Sequence, residues 1–423
     1  MYQLCSKITI YNRKSGNSYT LDFAESIEVS SSWDMLSSIA NLTLPKKIYV
    51  NKNDTPFRLS WADMNIANLD VIKSGLTQKA SEQLFEEGDV IKVEMGYNAE
   101  LNTVFDGFIS KIVEKVPIEL VCIDAMYILD GITISNSDKD LTLTKLVEII
   151  KTSYLASSKL HSSYTKNPRG QKLYKLLDFQ LTIPSMELPG FSIGQKTITE
   201  VFGELKKLYG IDTFIQNGTV FCGTTYPEKT LREKSVKKSL GSFFKLPEKK
   251  KFGFQNNVVE DKLVSASVKA TNLEVVVTGF DSEGGSYKDV KQFSAGEAAA
   301  GIPGNTATAV PLKIPLLSQV SKITGNTKEG RQNKKIKIQA FTNNEKDLKN
   351  IAKRKLDKIR FNGYSGYFVA FGKPFIQHGD EVEMQDFNLP ARSGKFKVKR
   401  VDYSFGSGGF RQKIELHQRI EKK

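Results

Sequence analysis

Three histidines, three cysteines and a few paired carboxylates are the residues from which this 423-residue chain would have to build chemistry. His161 lies in a polar stretch, His378 beside a Gly-Asp pair and His417 in the last alternating segment. None has a partner at metal-ligand spacing, and no HExxH pattern occurs. A Ser/His/Asp or Cys/His nucleophile would need one of these three as its base, and no GxSxG sequence accompanies them. A Walker A loop is also missing. Glu86-Glu87 and Glu381/Glu383 are available as acid and base of a glycosidase-type pair. On alternating strands, however, such carboxylates form the solvated face. Cys5, Cys122 and Cys222 are odd in number, far apart and set in largely apolar surroundings. That pattern fits three small buried hydrophobes in a reducing cytoplasm better than a disulfide framework or zinc site. No catalytic, cofactor or metal site is expected. The residues singled out are structural turns: Gly88, Asp89, Gly379, Asp380 and Gly394. Asp after a tight-turn glycine bonds nearby backbone N–H groups.

The elements around those turns read as mainly β. Leu4, Ile8 and Ile10 begin an alternating run that Tyr19, Leu21 and Phe23 continue, with one face for a core and one for solvent. Ile91, Val93 and Met95 alternate with Lys92 and Glu94 between the turn signals at Glu87-Gly88-Asp89 and Gly96-Tyr97-Asn98. The stretch 51–83 reads as a long polar loop with room for a short helix. In the middle, Thr142–Ala156 carries a helical apolar stripe, and Ser157–Gln171 reads as a loop. Thr197 and Glu200 form a capping box ahead of the stripe Ile198, Val201, Phe202, Leu205, Leu208 and Tyr209. Gly210 stands at the C′ position. Asn217-Gly218 marks a hairpin.

These signals predict an α+β chain, predominantly β, with two antiparallel β-barrel domains flanking a small α+β domain. The expected divisions are a first barrel at 1–130, the α+β domain at 131–228, a basic connector at 229–258 and a second barrel at 259–423. The second barrel carries a helix at 342–360, capped by Thr342 and Glu345. It also carries an insertion at 281–333, rich in Gly, Ser, Ala, Thr and Asn. That insertion reads either as a long loop reaching a partner or as a small subdomain.

Charged residues make up 26% of the chain, and its formal net charge is +14. An excess of that size suits nucleic acid, an anionic membrane or an acidic protein. The charge is spread along the chain, with denser stretches at 229–251 and 345–360. Neither has the aromatic interleaving of a single-strand binder. A solvated face or an acidic protein partner is the favoured reading. No run of about 18 apolar residues occurs, so no transmembrane helix is expected. The N-terminus alternates from its start, so no secretory signal is expected.

An internal echo stands out. EEGDVIKVEM (86–95) and QHGDEVEMQD (377–386) both place a Gly-Asp turn before an alternating strand. Each is followed by a glycine-led strand, DGFISKIV (106–113) and SGKFKVKRV (393–401). Two copies of one β-module would produce this, and so would a coincidence of common hairpin chemistry.

Three stretches together resemble the phage tail baseplate hub family, which groups late control protein D with the hub half of type VI secretion spike proteins. They are SSWDMLSSIANLTLPKKI (31–48), LFEEGDVIKVEMGYNAELNTVFDGFISKI (84–112) running on into ELVCIDAMYIL (119–129), and the C-terminal stretch from Pro374 to Ile420. The second is similar to the family's GD-x-V-x-V-x-x-GY … VF-x-G-x-I pattern. The segments 51–83 and 281–333 match nothing in it. The resemblance implies tail-tube-like barrels and a homotrimer in which two barrels per subunit make a pseudo-sixfold ring. Such a ring adapts a hexameric tail tube to a trimeric central spike. The implied partners are further copies of the chain, the tail tube protein, the spike protein and other baseplate proteins, with no small-molecule substrate and no sequence-specific nucleic acid. The implied location is the tail or baseplate of a virion or contractile injection system, assembled in the bacterial host cytoplasm. Two other classes remain in play: a tail-associated cell-wall-degrading enzyme, and a DNA-binding tail protein suggested by the net charge.

Overall fold

The computed structural model describes residues 3–44, 47–52, 55–60, 85–113, 117–136, 141–183, 185–188, 191, 193–223, 250–267, 273–279, 291–295, 310–311, 334–340, 348–349, 351–352 and 362–419. Its N-terminal part supplies β1 (Leu4–Tyr11), β2 (Ser18–Leu21), β3 (Ser26–Ser32), β4 (Ile39–Leu44), β5 (Lys47–Lys52), β6 (Thr55–Ser60), β7 (Val90–Tyr97), β8 (Glu100–Val113) and β9 (Ile118–Ile123). The middle holds α1 (Met126–Asp130), β10 (Thr133–Asn136), α2 (Leu143–Ala156), α3 (Ser158–Thr165), α4 (Pro168–Leu173), β11 (Asp178–Leu181), β12 (Ile193–Thr197), α5 (Ile198–Tyr209), β13 (Asp212–Gln216) and β14 (Thr219–Gly223). The C-terminal part adds β15 (Lys251–Gly253), β16 (Val258–Asp261), β17 (Val264–Ser267), β18 (Leu273–Gly279), β19 (Lys291–Ala295), β20 (Val310–Pro311), β21 (Lys334–Ala340), β22 (Asn362–Ser365), β23 (Tyr367–Phe371), β24 (Glu381–Gln385), β25 (Gly394–Phe405) and β26 (Arg411–Arg419).

The α+β, mostly-β expectation holds, but the two barrels do not form. From β6 the ladders run through β5, β2, β1, β7, β8, β9, β4 and β3 without returning to the start. The free side of β3 then pairs with β25, Ile27 opposite Phe405 and Ser32 opposite Arg400. Beyond it, β25 carries β24 and β26. β26 carries β23 and β22, which in turn pair with β16 and β17. β15 adds in parallel to β24. Among the described residues the result is one open, branched sheet of 17 strands. The physical reason is edge satisfaction. A barrel closes by pairing its own first and last strands. Here the edge that would close the N-terminal half is completed by β25, from the far end of the chain.

Alternation decides which side of each strand is buried. In β9 every second residue, Ile118, Leu120 and Cys122, is buried. In β25 Phe396, Val398, Val401, Tyr403 and Phe405 face inward, with a register shift near Arg400 keeping the alternation in phase. One apolar core joins both ends of the chain, with Ile8, Val29, Leu42 and Ile91 beside Phe368, Val382, Phe396 and Ile414.

The middle segment packs a second core. Thr142 caps α2, and Leu143, Leu146, Val147, Ile150 and Tyr154 bury its stripe. Thr197 and Glu200 form the capping box of α5, and Gly210 ends that helix at φ +66°. β13 and β14 meet at the Asn217-Gly218 turn, and β11 adds parallel to β14. The stretch 157–171, expected as a loop, is instead largely α3 and α4. Its serines and threonine misled: Ser162, Ser163 and Thr165 satisfy their hydroxyls on carbonyls of the same helix. That leaves His161 and Tyr164 to form the buried side.

Of the expected loop 51–83, the described part pairs as β5 and β6, and 61–83 lies outside the described residues. The described part of 281–333 takes the subdomain form. β19 and β20 join β18 and β21 in a separate four-stranded sheet. Of the expected helix 342–360, residues 348–349 and 351–352 are described, helical, with Leu348 and Ala352 buried. The basic stretch 229–249 lies outside the described residues.

Candidate assembly site

The two Gly-Asp pairs build the same turn, bond for bond. Gly88 and Gly379 take φ of +86° and +78°, the left-handed region that a residue with a Cβ enters at a cost. The Gly88 N–H donates to the Ile109 carbonyl (2.7 Å), and the Ile109 N–H donates back to the Asp89 carbonyl (2.9 Å). The second copy repeats this between Gly379 and Val398 (2.8 Å) and between Val398 and Asp380 (2.9 Å). The aspartate N–H closes each turn on the residue three back, Glu86 or Gln377, both at 3.1 Å. The carboxylate accepts from that same residue's N–H, at 2.8 Å in both copies. Each aspartate thus pins the turn that feeds its strand, and both are almost completely buried.

The copies differ in what balances the carboxyl. Asp89 also accepts from the Arg13 backbone N–H at 3.1 Å. Burial pushes its carboxyl up to about 7. Asp380 pairs with the Lys250 ammonium. The register also corrects the echo between the glycines. Aligning Ile109 with Val398 places Phe396, not Gly394, opposite Gly107 in the comparison. Gly107 lies within β8, where a Cβ would meet the Ile123 carbonyl. Gly394 opens β25 at the other end of the β24–β25 ladder, against the Arg419 guanidinium.

The middle segment holds both turns. The Tyr164 hydroxyl, on α3, donates to the Gly88 carbonyl at 3.0 Å. The Gln216 amide, at the end of β13, donates to the His378 carbonyl at 3.0 Å, and Phe214 meets the His378 ring edge-on at 5.4 Å. Trp33 joins Phe214 and Phe221 in a small buried cluster. Between these grips lies a cavity of about 300 Å³, whose lining includes Lys92, Asp106, Tyr174, Lys175, Gln216 and His378.

The histidines, cysteines and paired carboxylates are packed or paired as follows. His161 is buried and bonded on both nitrogens, at 2.6 Å each, to the Tyr174 hydroxyl and the Tyr154 carbonyl. A carbonyl only accepts, so Nε2 carries a proton, and in the neutral tautomer Nδ1 accepts from the Tyr174 hydroxyl. His417 stands edge-on to Trp33 at 5.3 Å, and burial lowers its pKa to about 4. The three cysteines are free thiols, and burial pushes Cys222 up to about 11. Glu381 and Glu383 pair with Lys397 and Lys251. Among the described residues no group of three His, Cys, Asp or Glu could hold a metal ion.

Sequence reading did not find Tyr164, Phe214 or Gln216 as the residues that hold the turns. Their partners stand 76 and 162 positions away, and no local pattern marks such a pair.

The sequence matches no protein-family model and no curated protein. Two solved structures share the fold over nearly the full length of both chains. One is the tail protein from Neisseria meningitidis, with a TM-score of 0.52 at 11% identity, covering 99% of this chain and 97% of that one. The other is the 43 kDa tail protein of prophage MuSo2 from Shewanella oneidensis, with a TM-score of 0.51 at 11% identity and the same coverage.

Proposed function

We propose that this chain is a non-enzymatic hub of a phage-tail-like assembly, a homotrimeric adaptor between a hexameric tail tube and a trimeric central spike. The observation that carries the reading is the duplicated turn: one chain presents two equivalent strand-entry units, each braced by the same middle segment. Three chains then offer six such units, the number a sixfold tube requires. The fold shared with two tail proteins supports the same reading. Tube, spike and neighbouring baseplate proteins are the partners, in the tail of a virion or contractile injection system assembled in the host cytoplasm. The work is mechanical. An extended sheet with one core through both ends of the chain transmits load without a hinge between separate barrels.

The test is the mass and shape of the purified particle. Three copies of the 47.3 kDa chain give about 142 kDa, and electron-microscopy projections of that species should show six lobes. A particle with twofold symmetry sinks the proposal. So does a chain that clears peptidoglycan suspensions and loses this activity on one carboxylate substitution.

A further inference from the structure

The two copies of the turn match at one end of their ladders and diverge at the other. In the first copy the ladder runs on to Tyr97 opposite Glu100, closed by the two-residue turn Asn98-Ala99. In the second, the pairing stops at Met384 opposite Gly394. The loop 386–393 takes the place of the outer hairpin, and it shows Phe387 and Leu389 to solvent at 76% and 56% exposure.

That loop is stiff. Asp386, itself buried, accepts from the Gln255 amide (2.9 Å) and from the Asn388 and Leu389 N–H groups (both 3.0 Å). Ser393 accepts from the Asp386 N–H at 2.9 Å. Arg392 bridges Asp386 and Asp261 and lies 4.0 Å over the Phe254 ring. Arg419 donates to the Ser393 and Ala391 carbonyls. A loose loop would fold its apolar side chains back onto the protein. This one holds two of them outward, beside exposed Lys395 and Arg419, which make no ion pair among the described residues.

A patch of opposite sign lies at the far end of β25. Phe23 is 60% exposed in the connection between β2 and β3, flanked by exposed Asp22 and Glu25. Neither carboxylate makes an ion pair among the described residues. The patch sits where β25 ends: Phe405 pairs with Ile27, and Gly406 abuts the Glu25 carbonyl. The basic knob sits where β25 begins. Twelve residues of strand separate them by about 36 Å, so they cannot meet within one chain.

We infer that the basic knob Phe387/Leu389 of one copy docks on the acidic Phe23 patch of the next, a head-to-tail contact between copies of this chain. The surfaces match in both properties that matter, apolar centre and opposite-signed rim. Because donor and acceptor patches differ, the contact is heterologous and builds a ring where the rotation closes. The inference rests on the hub reading for its biological sense, but its evidence is the pair of patches.

Sedimentation velocity on the full chain from about 1 to 100 µM reads the contact directly. Phe387→Ser with Leu389→Ser, both exposed, should weaken association at least tenfold with an unchanged circular dichroism spectrum. Asp22→Lys with Glu25→Lys should do the same, and Lys395→Glu alone, which leaves the Arg419 bonds to the loop in place, should weaken association several-fold. Glu25→Lys with Lys395→Glu in one chain should restore association to within a few-fold of the parent. Association unchanged in every variant overturns the patch pairing and leaves the hub reading standing. Failure of that paired swap to rescue also overturns it. A parent chain that stays monomeric at about 100 µM overturns the pairing and the ring together.

Discussion

Replacing each turn aspartate by alanine measures how much the duplicated turn stabilises the fold. Asp89→Ala removes the acceptor for two backbone donors, the Glu86 and Arg13 N–H groups. An orphaned buried donor costs about 1–3 kcal/mol, and some water entry at the partly open Arg13 side lowers the sum, so a loss of about 3 kcal/mol is expected. Asp380→Ala orphans one donor, the Gln377 N–H, and strips Lys250 of its counter-ion. Lys250 is about a third exposed and can turn to water, so its share is small and about 2 kcal/mol is expected in all. Among the described residues these hydrogen bonds of the two turns share no partner, so the double variant should lose about 5 kcal/mol, additive within ~0.5 kcal/mol. Asp380→Asn keeps an acceptor for Gln377 and loses only the charge, so it should fall near 1 kcal/mol. Urea unfolding followed by circular dichroism gives these values, and hydrogen exchange at the Ile109 and Val398 amides reports each turn separately. A single alanine variant within ~0.5 kcal/mol of the parent, with both amides still protected, would refute the claim that the aspartates pin the turns.

Three further outcomes are expected. Burial holds the Asp89 and Asp124 carboxyls at about 7, above their ordinary 3.8. The unfolded chain therefore releases these protons as pH passes 4 while the fold keeps them, and stability falls as pH rises from about 4 to about 7. Urea midpoints should climb on acidification from pH 7 to about 5, and Asp89→Asn with Asp124→Asn should flatten that slope. Phe202→Ala, on the buried stripe of α5, should cost about 3–5 kcal/mol in the same assay; a soluble variant with unchanged melting would refute that stripe. Tyr164→Phe removes only the hydroxyl bonded to Gly88 and should cost about 1 kcal/mol, with faster exchange at Gly88 while Gly379 stays protected.

Local structure was open to reading wherever its cause lay within a few residues. The capping box of Thr197 and Glu200, the left-handed Gly210 and the Asn217-Gly218 hairpin each depend on neighbours three or four positions apart, and each stands in the structure. Where composition and hydrogen bonding disagreed, the reading failed. The polar run 157–171 became helix because its hydroxyls bond carbonyls within their own helix, which a tally of polar residues does not show. The aligned glycines also misled, since strand register and not residue type sets which positions correspond.

By itself the sequence determined where strands begin, which of their faces are apolar, and that the Gly-Asp pairs open two of them. Backbone conformation and side-chain alternation are properties of short segments. Only the tertiary structure decided which edges meet. β3 carries no mark that its free side will pair with β25 rather than close a barrel. The partner of a strand edge is chosen by the shape and burial of the whole sheet, because every edge offers the same row of backbone donors and acceptors.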